Sequence, residues 1–192
     1  MSGDLEARLA ATVRASPRLM QVLAIARDLA LPDWRIVSGA VYQTVWNSVT
    51  GRDPDYGLRD YDLFYFDGSD ISYEAEDVDI RRAAAAYPAD LAPLVEVRNQ
   101  ARVHLWYEEK FGKPYPPLAR ATDGIDRFLM HNAQVGIRAS DGGTEVYAPR
   151  GFDDIFNLTV RPNRSANFLP DKYMEKAQRW KDIWPELTIL PA

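Results

Sequence analysis

The chain has 192 residues, no cysteine and two histidines, and its 23 Lys and Arg against 28 Asp and Glu leave a formal charge of −5. That length fits one compact domain with a sizeable core, and the anionic balance argues against a protein that grips long nucleic acid by its overall field, leaving room for a local basic stripe. Without cysteine there is no disulfide framework or thiolate metal site, and His104 and His131 alone cannot build a zinc site, so a bound metal must take oxygen ligands.

Asp4 and Glu6 stand where a signal peptide carries positive charge, and no apolar run approaches the roughly 20 residues that span a bilayer. The expectation is a cytoplasmic protein with no membrane partner. Residues 5–31 read as two helices: Leu5, Leu9 and Val13 form one apolar stripe, and Leu19, Met20, Leu23, Ala26 and Leu29 a second. Ser16 and Pro17 divide them, as an N-cap and a first-turn proline.

Trp34 to Val37 predicts a short strand, followed by Ser38-Gly39-Ala40 and the apolar helix stretch Val41, Tyr42, Val45, Trp46. A strand, small residues and a helix in that order point backbone N–H groups at a helix N-terminus, where phosphate oxygens are received. A plain tight turn has the same residues. After the turn-rich loop over 50–57 comes Leu58 to Phe66, a strand with Asp60 and Asp62 on one face and Tyr61, Leu63 and Tyr65 on the other. Two carboxylates side by side repel unless a cation or solvent relieves them, and hard divalent ions are held by one or two carboxylates plus phosphate oxygens. Asp also favours turns, so the pair alone fits the polar entrance of an edge strand equally.

Residues 72–87 predict a helix with Ser72 and two glutamates at its start. The segment from Leu94 to Trp106 alternates more cleanly than any other. Val95, Val97, Ala101, Val103 and Leu105 share one face; Glu96, Arg98, Gln100, Arg102, His104 and Trp106 share the other. That polar face is either a ligand surface, with Arg98 and Arg102 placed for a nucleotide, or a solvated one with its arginines paired to Glu96 or to the aspartates. Further on, 111–117 is a proline-stiffened loop and 124–128 a short turn or helix. Residues 134–138 and 144–148 form a hairpin through Asp141-Gly142-Gly143. A short helix over 151–158, an extended Arg161-Pro162-Asn163 and a final helix from Pro170 to about Trp184 complete the chain. Tyr173, Ala177 and Trp180 face inward on that last helix.

Strand, Ser-Gly turn, helix, loop, Asp-x-Asp strand and a later acidic strand resemble, in this order, the nucleotidyltransferase fold of the DNA polymerase beta type. More narrowly, Ser38-Gly39-Ala40-Val41, Trp46-Asn47, Asp60-Tyr61-Asp62-Leu63, the run from Val95 to Trp106, Ala148-Pro149 and Arg161-Pro162-Asn163 look like a family of small bacterial nucleotidyltransferase-like proteins. The similarity runs over about residues 34–185, within a single domain of 1–192 whose first 31 residues are a helical extension.

The resemblance implies an α+β fold, a mixed sheet flanked by helices. It implies Mg²⁺ or Mn²⁺ on Asp60, Asp62 and a third carboxylate, for which Glu96 is the candidate, and an NTP whose phosphates meet Ser38 and Gly39. The reaction implied is transfer of a nucleoside monophosphate to an unknown acceptor hydroxyl, on a small molecule or a protein. A non-catalytic nucleotide- or protein-binding regulator, antitoxin-like, is the other descendant of such a fold. Two departures stand out: Ser38 precedes the glycine, and Asp60 follows the turn by about twenty residues where the superfamily has about ten.

Overall fold

The computed structural model describes residues 2–192. Two helices open the chain, α1 (Ser2–Arg14) and α2 (Pro17–Leu29). Ser16 caps α2 by accepting from the Leu19 N–H at 3.3 Å, and Ala30 ends it in the left-handed conformation. The stripes from both helices are buried, Leu9, Val13, Leu19, Val22 and Leu23 among them.

The main sheet is built from β1 (Arg35–Val37), β2 (Tyr61–Tyr65), β3 (Val95–Asn99), β4 (Gly136–Ser140) and β5 (Gly143–Tyr147), in the spatial order β3-β2-β1-β4-β5. Only the β2–β3 pair is parallel; its crossover contains α4 (Tyr73–Ala86), capped by Ser72 accepting from the Ala75 N–H. The mixed sheet with flanking helices agrees with the α+β expectation, and β1, β2 and β3 are neighbours in it.

Register assigns the faces. Ile36 pairs with Leu63 and with Ile137, and Leu63 pairs with Val97. Directly paired residues share a face, so these four form an apolar surface, which joins the buried side chains of α1, α2 and α3 (Gly39–Val49) in one core. The opposite face carries Arg35, Asp62, Phe64, Glu96, Arg98 and Glu145. Its outer edge is neutralised internally: the Glu145 carboxylate receives Arg35 at 2.7 Å and Arg138 at 2.7 Å.

Two strand expectations are corrected. Leu58, Arg59 and Asp60 precede β2 rather than lying within it. The run from Val95 to Trp106 is a strand only as far as Asn99; Gln100–Leu105 is a 3₁₀ helix. Asn99 turns the chain out of the sheet. Its Oδ1 accepts from the Ala101 and Asp67 N–H groups at 3.1 and 3.0 Å, its Nδ2 donates to the Asp67 carbonyl, and its own N–H donates to the buried Glu76 carboxylate. Leu105, expected on the core face, is therefore exposed.

Beyond this point lie α5 (Tyr107–Phe111), α6 (Ala121–Ile125), the short α7 (Asp153–Phe156) and a small parallel pair, β6 (Thr159–Val160) with β7 (Thr188–Ile189). The last helix, α8 (Pro170–Ile183), is anchored by aromatic rings. Trp180 meets Trp46 edge to face at 5.6 Å and Tyr42 at 5.1 Å, and Trp184 meets Trp46 at 5.4 Å. Among the described residues no helix is long and apolar enough to cross a membrane.

Candidate active site

Asp62 lies on β2 directly opposite Glu96 on β3 and Val37 on β1. Both carboxylates therefore stand on the polar face. This face forms the floor of a cavity of about 750 Å³, with Asp62, Phe64, Glu96 and Arg98 below, the segment 100–115 on one side and the Lys172, Lys176 and Arg179 side of α8 on another. The size is that of a ligand pocket. Asp60, just before the strand, lines an adjoining small cleft with Gln43, Gly57 and Arg59; Arg179 borders both spaces.

Charge is concentrated here. Burial, and after it the negative charge of Asp60, pushes the Asp62 carboxyl up to about 7; Lys176 opposes the shift, Glu96 adds to it and Arg98 opposes it. Lys176 is itself held below the ordinary lysine value, by burial first, while Asp62 and Asp60 pull it back up. The aspartates also reach the buried Tyr42, whose hydroxyl is driven well above the ordinary tyrosine range mainly by burial. Thus α8 lays cations against an acidic strand end, and neither sign is fully relieved by the other.

The positions singled out in the sequence fall into three groups. Asp62, Glu96 and Arg98 share the cavity, with Asp60 beside it. Glu96 is half exposed and leans toward Arg98 at 3.5 Å, the local pairing that the spacing allowed. Arg102 goes elsewhere. Because the chain leaves the sheet at Asn99, its guanidinium turns away from the Glu96 side, forms a buried ion pair with Glu76 and donates to the Ile71 carbonyl at 2.8 Å.

Ser38 and Gly39 do not line the main cavity. Ser38 ends β1 with φ 56° and ψ −120°, a backbone conformation suited to glycine, and its N–H donates to the Val135 carbonyl at 2.9 Å. The left-handed geometry thus falls on the serine, while Gly39 begins α3 beside Gln43. The turn opens α3, which packs against β1 and β2.

As a metal platform the donor chemistry is hard carboxylate oxygen, which suits Mg²⁺ or Mn²⁺. Among the described residues no three His, Asp or Glu side chains are drawn together as an ion-holding group. Glu96 is drawn to Arg98, which leaves Asp60 and Asp62 as the carboxylates whose charges act on one another, the negative charge of Asp60 standing second to burial in raising the Asp62 carboxyl.

What the sequence reading missed is the opposite wall. Lys172, Lys176 and Arg179 recur at i, i+4 and i+7 on α8, a cationic stripe beside the buried Tyr173, Ala177 and Trp180. That stripe was readable as a pattern. Its position over Asp62, more than a hundred residues away in the chain, was not.

A family model described as nucleotidyltransferase matches residues 24–189. Among solved structures, an NMR structure described as revealing a CCA-adding enzyme head domain is 26% identical, with a TM-score of 0.76 over 96% of this chain and 95% of that one. No curated protein sequence matches.

Proposed function

We propose that this chain, which belongs to the nucleotidyltransferase family, transfers a nucleoside monophosphate from an NTP to an acceptor hydroxyl within the cavity over β2 and β3. The observation that carries the reading is the pairing of Asp62 with Glu96 on one sheet face, under the cations of α8.

Asp60 and Asp62 would hold Mg²⁺ or Mn²⁺ together with the triphosphate. Bound there, such an ion would supply positive charge against the phosphates as charge develops in the transition state. Lys176 and Arg179, with Lys172 once it leaves its Glu175 partner, bind and orient the β- and γ-phosphates. The acceptor oxygen bonds to the α-phosphorus, the bond from that phosphorus to the bridging oxygen breaks, and pyrophosphate leaves. Glu96, released from Arg98, takes the acceptor's proton.

The NMR structure's CCA-adding description raises an RNA end as one acceptor class, whereas the overall charge of −5 favours a small molecule or a protein. One observation favours binding without turnover: the Glu96–Arg98 pair occupies the base. The discriminating experiment is metal-dependent pyrophosphate release from each NTP, with cell extract as a source of acceptor. Release that disappears in Asp62→Asn supports transfer. Stabilisation by NTP with no release supports a binder.

A further inference from the structure

The cavity has two chemically different ends. One is the edge where Asp62, Lys176 and Arg179 meet; the other is an aromatic wall made by the segment after β3, where Trp106, Tyr107, Phe111 and Tyr115 all line the same space. Tyr107 lies 4.3 Å from the Tyr115 ring and 4.7 Å from Phe111, and Trp106 lies 6.1 Å from Tyr107. The Tyr107 hydroxyl accepts from Asn167 Nδ2 at 3.2 Å, which fixes the centre of the group.

Packing accounts for three of these rings but not for the fourth. Tyr107, Tyr115 and Phe111 support one another, and Tyr115 is buried. Trp106 meets Phe111 at 6.4 Å and remains 36% exposed, with Lys110 Nζ over its ring 5.4 Å from the centroid. A large, solvent-reachable π surface with a firm backing and a nearby cation is a stacking platform.

A ligand that fills such a cavity must be anionic at one end and planar at the other. The geometry points to a nucleobase subsite on Trp106, with the triphosphate at the Asp62 and Lys176 end and the base against the aromatic wall. This rests on the nucleotidyl-transfer reading above and adds to it the part of the substrate that the acidic residues do not read. Because stacking uses the face that every base possesses, the subsite discriminates weakly among the four NTPs.

Trp34, Trp46, Trp180 and Trp184 are buried, so Trp106 is the tryptophan whose emission a stacked base would reach. The full-length protein is titrated with the Mg²⁺ complexes of non-hydrolysable ATP, GTP, CTP and UTP analogues, and separately with tripolyphosphate, following fluorescence and melting temperature. The analogues should quench emission and raise the melting temperature, whereas tripolyphosphate should raise it without quenching. Trp106→Phe should remove most of the quench and keep most of the affinity, since phenylalanine still stacks. Trp106→Ala, checked for an unchanged circular dichroism spectrum, should weaken the analogues by roughly tenfold to a hundredfold and leave tripolyphosphate unaffected.

A quench that survives in Trp106→Phe, or full affinity for the analogues in Trp106→Ala, overturns the subsite while leaving nucleotide binding intact. Failure of every analogue to bind the unaltered protein overturns the transfer reading and the subsite together.

Discussion

Asp62 and Glu96 stand side by side on parallel strands, one carboxyl partly buried facing α8 and the other half exposed beside Arg98. Two acids of the same type class thus occupy unlike surroundings a single strand spacing apart. Their substitution should have opposite signatures.

Asp62→Asn should stabilise the protein and flatten its pH dependence. The folded carboxyl is raised to about 7 from an ordinary value of 3.8, so below about pH 4 both folded and unfolded chains keep the proton and the contribution is fully present. Between about 4 and 7 the unfolded chain releases it while the folded one resists, and stability falls with rising pH. The variant's gain in melting temperature should therefore grow across this window and level off above pH 7, reaching several degrees, while metal-dependent NTP stabilisation is lost. Thermal melts at pH 4, 5.5, 7 and 8.5 check both; a gain that is largest at pH 4 contradicts the assignment.

Glu96→Gln should leave the fold nearly untouched. Its partner Arg98 is also half exposed, and such pairs contribute about 0–1 kcal/mol. Transfer should drop by about a hundredfold or more with KM for the NTP little changed, because a proton acceptor acts in the transition state. Unaltered transfer would restrict Glu96 to its surface pair.

Arg102→Ala should be a stability lesion instead. The Arg102–Glu76 pair is buried, and Glu76 also holds the Asn99 N–H at 2.9 Å where β3 ends. Removing one partner strands a buried charge, at a cost of about 3–5 kcal/mol or a melting temperature lower by roughly 10 °C. At a temperature where the variant is folded, its affinity for NTP should equal that of the unaltered protein, as titration would show.

Ser38→Gly should raise the melting temperature by about 2–4 °C, corresponding to roughly 1 kcal/mol of relieved backbone strain at φ 56°. A fall would mean that the serine side chain contributes more at the end of β1 than its backbone costs.

The contrast between Arg98 and Arg102 shows what the sequence could convey. Alternation alone put both on the polar face of one strand, and for Arg98 the register agrees. For Arg102 a local competitor wins: the Asn99 side chain satisfies the backbone N–H groups that a continuing strand would have paired, and the run becomes a 3₁₀ turn with the same hydrophobic spacing. The β4–β5 hairpin and the helix starts capped by Ser16 and Ser72 were legible because turn and cap residues act locally, whereas the α+β class was carried by the family resemblance. The cationic wall over Asp62 and the aromatic support behind Trp106 were not, since they depend on segments far apart in the chain meeting across the sheet.

Asn47 ties two of those distant segments together. Its Oδ1 accepts from Trp184 Nε1 at 2.8 Å, and its Nδ2 donates to the Pro54 and Tyr56 carbonyls at 3.0 and 2.8 Å. One fully buried amide thereby holds both the loop that delivers Asp60 and the end of the helix that delivers Lys176 and Arg179. The acidic and basic halves of the site are thus anchored at one residue. A chain cut before Pro170 would keep Asp60, Asp62 and Glu96 yet lose Lys172, Lys176 and Arg179, and with them the Trp184 end of this tie.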